Sequence, residues 1–193
     1  MKKLILMRRA AHAELGHVLS GRSQIPLNDR GRAQAAQLPT LLSDIPICSL
    51  HSSTRCRALQ TAAPLARARG LPVGFSPALD EIDFGEFTGK SFLSLQNDPD
   101  WLHWNAWRSD ARCPGGETMR EAADRATAYI DSLEPASFPA LVVTHCDIIR
   151  ALVSIARGSG ISGLFELDCE PASWSSLDVT EPLWRVVSTD AAC

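Results

Sequence analysis

The sequence lacks long hydrophobic runs, a strong net charge and paired-cysteine motifs. No apolar run approaches the roughly 18 residues that a membrane-spanning helix needs, and the formal net charge is only -3. No C-x-x-C spacing, the usual sign of a structural zinc site, is present. These absences argue against a membrane partner, a nucleic-acid partner and a bound metal. We expect a cytoplasmic protein without a cofactor, with six reduced cysteines: Cys48, Cys56, Cys113, Cys146, Cys169 and Cys193.

Length and composition fit one globular domain. A chain of 193 residues can bury a core without disulfides or metals, and its 45% hydrophobic and 21% charged residues are ordinary proportions. The opening stretch "MKKLILMRRA" has a basic tip like a signal peptide, but two arginines end its apolar run after four residues. We therefore interpret it as a first strand and predict a single domain over residues 1–193.

Apolar runs and helical patterns alternate along the chain. The apolar runs predict strands at residues 2–7, 47–53, 71–77 and 140–145. Helical spacing predicts helices at residues 26–45, 54–70, 117–134 and 146–158. We expect Asn28 or Asp29 to cap the first helix and Gly70 to end the second. The segments "SWSSLDV" and "LWRVVS" predict a closing hairpin or edge pair. The fold expected from this alternation is an α/β three-layer sandwich, with a mostly parallel central sheet flanked by helices.

The segment at about residues 78–116 interrupts this alternation. It is rich in Trp, Asp and Gly, and we predict one helix within it, around residues 92–107. Trp101, Trp104 and Trp107 fall at three-residue spacing there, a pattern that is more typical of core or lid packing than of a ligand site. We expect an insertion that covers a pocket.

Polar residues follow the predicted strands. In open α/β sheets the carboxyl ends of parallel strands meet at one edge, where ligands bind. Arg8 follows the first strand, Arg57 lies just beyond the second, Glu81 follows the third and His145 ends the fourth. Arginines are permanently charged forks that match phosphate oxygens in pairs. This pattern predicts a phosphate cradle with Glu81 as a nearby proton donor or acceptor.

Five motifs in order now indicate a family. "SGRSQIPLNDRGRAQAAQL", "SSTRCRALQTA", "LDEIDFGEFTG", "PGGET" and "VVTHCDIIRAL" resemble the successive motifs of the histidine phosphatase superfamily, the phosphoglycerate mutase-like fold, in its smaller α-ribazole phosphatase-like branch. The resemblance covers nearly the whole length. It implies a small phosphorylated or anionic metabolite as the partner, hydrolysis of a phosphomonoester through a phosphohistidine, and no cofactor; a homodimer stays open.

The resemblance also implies roles for particular residues. Arg8 and Arg57 would bind phosphate, Glu81 would be the general acid and base, and His145 would hold the transferring phosphoryl group. The remaining substrate contacts that it implies are His12, Arg22 and Thr118.

One position departs from the family pattern. The first family motif reads Arg-His-Gly or Arg-His-Ala with a nucleophilic histidine, and here Arg9 stands at that position. A guanidinium has five donors and no acceptor, so Arg9 cannot attack phosphorus. We therefore expect strongly impaired hydrolysis. We also expect the added cation to favour the ionised form of Glu81.

Three interpretations follow from the sequence. The first is a phosphatase whose nucleophile has been substituted, which fits the presence of every other motif. The second is a natural binding protein that holds an anion with Arg8, Arg9 and Arg57. The third is an enzyme in which His145 and Glu81 perform acid–base chemistry without a phosphoenzyme. Replacement nucleophiles are less favoured, because Cys56 and Cys146 fit core filling and His12 fits a phosphate contact or a solvated loop.

Overall fold

A six-stranded sheet forms the centre of the computed structural model, which describes residues 2–180 and 183–191. The strands in chain order are β1 Lys3–Arg8, β2 Ser49–Ser52, β3 Val73–Phe75, β4 Ala140–Thr144, β5 Trp174–Asp178 and β6 Arg185–Ala191. Their order across the sheet is β3-β2-β4-β1-β5-β6. Strands β3, β2, β4 and β1 pair in parallel. Strand β5 pairs antiparallel with both β1 and β6. The predicted α/β sandwich and its closing strand pair are confirmed.

In the described part of the chain six α-helices accompany the sheet: α1 Asp29–Leu41, α2 Cys56–Arg69, α3 Phe92–Leu95, α4 Pro99–Ala106, α5 Met119–Asp131 and α6 Cys146–Ala156. Asn28 is the N-cap of α1, where its side chain accepts a hydrogen bond from the Gly31 amide. Gly70 ends α2 in the left-handed region at φ 63°, as predicted.

Both faces of the sheet are covered, which explains why the strand-forming runs do not alternate in polarity. On β1, Leu4 and Leu6 pack into one cluster with residues of α5 and α6, while Ile5 and Met7 pack into another with residues of α1 and α2. All four side chains are fully buried. A strand buried on both sides needs apolar residues at every position.

The segment 78–116 contains two α-helices where one helix was predicted. Helix α3 ends at Leu95, and α4 starts anew at Pro99. Asp98 caps α4 by accepting hydrogen bonds from the amides of Asp100 and Trp101. Pro99 has no amide hydrogen to donate, so it is tolerated at the first position of a helix but breaks a continuous one.

Membrane-spanning helices and clustered metal ligands are both absent from the described residues. Neither residues 2–180 nor 183–191 contain a helix long and apolar enough to cross a membrane. In the same ranges no group of three or more His, Cys, Asp or Glu side chains is arranged to hold a metal ion. The five described cysteines are free thiols, and Cys193 lies outside the described residues.

Gly31 lets α1 approach the loop that follows β1. A Cβ atom at this position would lie 1.9 Å from the carbonyl oxygen of Ala11. We predict that Gly31→Ala lowers the free energy of unfolding by more than about 2 kcal/mol, because backbone must move to relieve the clash. Urea denaturation measures this. The neighbouring exposed substitution Arg30→Ala should change stability by less than about 0.5 kcal/mol, and an equally small effect of Gly31→Ala would contradict the close packing.

Candidate active site

A pocket of about 410 Å³ opens at the carboxyl edge of the parallel strands. Its lining includes Arg8, Arg9, His12, Arg57 and Glu81. The structure thus brings five of the predicted site residues together. Parallel strands end at the same edge of a sheet, so side chains from distant parts of the chain meet there.

Arg8 and Arg9 lie side by side after β1 and have different surroundings. The Arg8 guanidinium donates a hydrogen bond to the carbonyl oxygen of Cys169. Arg9 is 6% exposed, and its Nη1 donates to the carbonyl of the adjacent Ala10 at 3.2 Å. Burial, with repulsion from Arg8 and Arg57, lowers the pKa of Arg9 to about 9. The protonated, charged form of Arg9 is therefore destabilised by its surroundings.

Arg57 lies in the first turn of α2 and is firmly fixed. Its Nη1 donates to the carbonyl of Ser23 at 2.7 Å, and its Nη2 donates to the carbonyl of Gly21 and to Nδ1 of His145 at 3.3 Å. Its Nε has no hydrogen-bond partner among the described residues. Desolvation lowers the pKa of Arg57, while the two carbonyls hold the guanidinium in position.

His145 lies behind Arg57 and is not part of the pocket wall. It is fully buried, and its Nε2 lies 2.8 Å from Oγ of Ser53, which donates to Asp80 at 2.7 Å. Since Arg57 donates to Nδ1, the hydrogen-bond pattern assigns the proton to Nε2. Burial and the nearby arginines lower the pKa of His145 well below its usual range. His145 is thus neutral and can receive a proton only if this network rearranges.

Glu81 follows β3 on a backbone that two arginines fix. Its carbonyl oxygen accepts hydrogen bonds from Arg22 and Arg125, each at 3.1 Å. Burial raises the pKa of the Glu81 carboxyl to about 8, and the neighbouring Asp147 and Cys146 add to the rise. Arg9 and Glu81 do attract each other, as expected, but desolvation of the Glu81 carboxyl outweighs the attraction of nearby cations and makes the net shift upward. At neutral pH Glu81 can donate a proton.

His12 is 3% exposed, and neither of its ring nitrogens has a hydrogen-bond partner among the described residues. Burial and the neighbouring arginines lower its pKa to about 3. A neutral imidazole whose two nitrogens lack partners in the described structure can offer one donor and one acceptor to a ligand. The solvated-loop alternative for His12 is wrong, since the side chain is buried in the pocket wall.

Arg22 and Thr118 do not line the pocket. The guanidinium of Arg22 pairs with Asp83 at 3.2 Å and Glu117 at 2.7 Å. Thr118 is the N-cap of α5 and forms a reciprocal capping box with Glu121. The structure thus gives both side chains structural partners away from the pocket, and their substrate contacts remain predictions.

The structure adds residues that the sequence analysis missed. Asp147 lines the pocket beside Arg108 at 3.6 Å and Arg150 at 3.9 Å. Cys146 lines it as well, and its thiol accepts a hydrogen bond from Cys169 that lowers its pKa. Cys146 packs against the hydrophobic core, as the sequence predicted, and in addition lines the pocket. Its place directly after the fourth strand, at the start of a helix, was the signal available in the sequence.

Comparison with known proteins agrees with this geometry. A family model described as Histidine phosphatase superfamily (branch 1) matches residues 4–191. The protein named "Probable phosphoglycerate mutase GpmB" from Escherichia coli O1:K1 is 30% identical over 175 residues, which cover 86% of this chain and 79% of that protein. The same name, identity and coverage describe a protein of Shigella boydii serotype 18.

Solved structures share the fold over the whole chain. Mycobacterial glucosyl-3-phosphoglycerate phosphatase in complex with VO3 has a TM-score of 0.87 and 26% identity, and the match covers 100% of both chains. Mycobacterial hydrolase 1 has a TM-score of 0.88 and 25% identity, with coverage of 100% of this chain and 99% of that one. The resemblance of fold therefore extends beyond the pocket.

The raised pKa of Glu81 predicts a pH-dependent stability. The carboxyl has an ordinary pKa of 4.5 in the unfolded chain and about 8 in the folded one, so between these values the unfolded chain binds fewer protons and stability falls as pH rises. The lowered pKa values of His12 and His145 make stability rise with pH below 6.5, and Cys146, whose pKa is lowered to about 7, makes it rise from about pH 7 to 9. Between pH 6.5 and 8 the Glu81 carboxyl should lower the free energy of unfolding of the wild type by up to about 1.4 kcal/mol per pH unit. We expect Glu81→Gln to abolish this contribution.

Urea denaturation across that pH range measures the effect. Glu86→Gln, a substitution at a nearby exposed carboxyl, should leave the slope unchanged. Parallel pH profiles for the wild type and Glu81→Gln would contradict the assignment.

Proposed function

Because this chain belongs to the histidine phosphatase superfamily (branch 1), we propose that it binds a small phosphomonoester or a similar anion in the pocket. Arg9 stands at the position of the family's nucleophilic histidine, so hydrolysis through a phosphohistidine is strongly impaired. The parent activity is phosphomonoester hydrolysis. Names of relatives, such as glucosyl-3-phosphoglycerate phosphatase, support a phosphorylated substrate.

The observation that carries this proposal is the convergence of Arg8, Arg9 and Arg57 on one pocket. Arg9 and Arg57 are at most 6% exposed, and their mutual repulsion contributes to the lowered pKa of Arg9. Glu81 is protonated at neutral pH and so offers little compensating charge. A tetrahedral dianion supplies the missing negative charge and accepts several charge-assisted hydrogen bonds.

The remaining groups suit a phosphoryl-transfer site apart from its nucleophile. Protonated Glu81 can give its proton to a leaving alkoxide. Arg57, fixed by carbonyl groups, provides electrostatic stabilisation that needs little reorganisation. Arg9 can bind phosphate but offers no lone pair. Positioning alone supports only slow turnover, since a nucleophile that acts as part of a unit accounts for most of the rate.

Binding of simple anions tests the proposed arginine cradle. Phosphate, sulfate and vanadate should each raise the melting temperature in a concentration-dependent way, because they bind the folded chain and not the unfolded one. Arg9→Ala should weaken this binding at least about tenfold, since one charge-assisted contact is lost. Thermal shift titration and calorimetry measure both effects.

Arg120→Ala serves as the matched control. Arg120 is 60% exposed at its side chain and pairs with Asp110 on the surface, so its removal should leave anion binding unchanged. Melting that does not respond to any of these anions in the wild type would show that the cradle is wrong.

The substitution Arg9→His tests whether position 9 can hold a nucleophile. In Arg9→His an imidazole replaces the guanidinium, while Arg8, Arg57 and Glu81 stay in place. We expect hydrolysis of p-nitrophenyl phosphate to rise by on the order of a thousandfold or more, without added metal and with an acid-labile phosphoenzyme. His145→Ala in the reverted background should lose most of this gain.

The reverted variant also tests the second function, natural anion binding. Arg9 fits its site with a hydrogen bond to Ala10 and little exposure, as a residue retained for binding would. A folded Arg9→His variant with weaker phosphate binding and no gain in hydrolysis would favour that function over a substituted phosphatase.

A further inference from the structure

Apart from its arginines, the pocket has an apolar wall. This wall consists of Leu15, Val18, Leu19, Phe84, Phe92 and Trp101. Phosphate binding alone does not account for these largely apolar side chains. Ligand pockets commonly combine a few polar groups that fix orientation with apolar surface that contacts the rest of the ligand.

The three tryptophans of the insertion have different positions. Trp104 is fully buried in the core, and Trp107 is 64% exposed. Trp101 is half-buried and lines the pocket. Its ring stacks on Trp104, with centroids 5.2 Å apart and planes at 25°, and meets Phe87 edge-on at 5.4 Å. These contacts hold the Trp101 ring in place before a ligand arrives.

The charged groups beyond the arginine cradle compensate one another. Asp147 lies between Arg108 at 3.6 Å and Arg150 at 3.9 Å, and Glu170 supplies a second carboxylate to the pocket wall. Apart from the cradle arginines and Glu81, the charged side chains that line the pocket are thus two cations and two carboxylates, whose formal charges cancel. These groups therefore give no electrostatic preference for a second anionic group on the ligand.

We propose that the natural ligand is a phosphate monoester of an aromatic alcohol, whose ring packs against Trp101 and Phe92 while its phosphoryl group meets Arg8, Arg9 and Arg57. This inference rests on the proposed function and adds the chemical class of the organic part. A ring placed here buries apolar surface against a wall that is already ordered, so little entropy is lost on binding. Trp101 is thus a specificity residue and takes no part in proton transfer.

Binding of three phosphonates, which cannot be hydrolysed at their P–C bond, tests the inference. Calorimetry should show that phenylphosphonate binds about tenfold more tightly than methylphosphonate, because its ring is buried. Phosphonoacetate, which carries a second anion instead of a ring, should bind no more tightly than methylphosphonate. Trp101→Ala should abolish the advantage of the phenyl group and leave methylphosphonate binding intact.

Two further variants keep the test independent of folding. Trp107→Ala removes a tryptophan from the same segment that does not line the pocket, so it should keep the full phenyl advantage. Phe92→Ala removes a ring that is 39% exposed, which disturbs packing little, and it should reduce that advantage even if Trp101→Ala fails to fold.

The outcomes separate this inference from the proposed function. Equal binding of methylphosphonate and phenylphosphonate, or tighter binding of phosphonoacetate than of phenylphosphonate, would overturn the aromatic class and leave the anion cradle standing. A phenyl advantage that survives in folded Trp101→Ala and Phe92→Ala would overturn it as well. If none of the three phosphonates binds, the proposed function itself fails.

Discussion

The burial of several guanidinium groups at one edge of the sheet is the constraint on which the rest of the site depends. A buried cation is costly unless it is paired or hydrogen-bonded. Arg57 meets this cost by donating to the carbonyls of Gly21 and Ser23, and Arg8 donates to the carbonyl of Cys169. Arg9 has a hydrogen bond to the carbonyl of its own neighbour, and its lowered pKa records the remaining cost. The anionic ligand that we propose would offset this cost.

The same positive field sets the state of the neighbouring groups. His145 is neutral because it is buried among arginines, and its two nitrogens bridge Arg57 and Ser53. Ser53 in turn donates a hydrogen bond to Asp80, which also forms an ion pair with Arg55 at 2.9 Å. This network fixes the orientation of Arg57 from behind. The orientation of Arg57 is thus fixed partly by residues that do not line the pocket.

The sequence predicted much of this arrangement. Apolar runs located the strands, and the rule that ligands bind at carboxyl ends of parallel strands brought Arg8, Arg57 and Glu81 to one edge. The raised pKa of Glu81 was not predictable, since it depends on burial of the side chain and on Asp147, a carboxylate from helix α6. The place of His145 behind the pocket wall was also hidden, because its distance from the pocket is a matter of packing between α2 and β4.

The sequence by itself determined the types and order of the elements, the α/β class and the chemical limits of Arg9, because these follow from local periodicity and from the covalent nature of each side chain. Only the tertiary structure decided that β1 lies between β4 and β5, that Glu81 keeps its proton, and that of three evenly spaced tryptophans Trp101 lines the pocket. Strand order, protonation and exposure each depend on groups distant in the chain, and their contributions add only when folding brings those groups together.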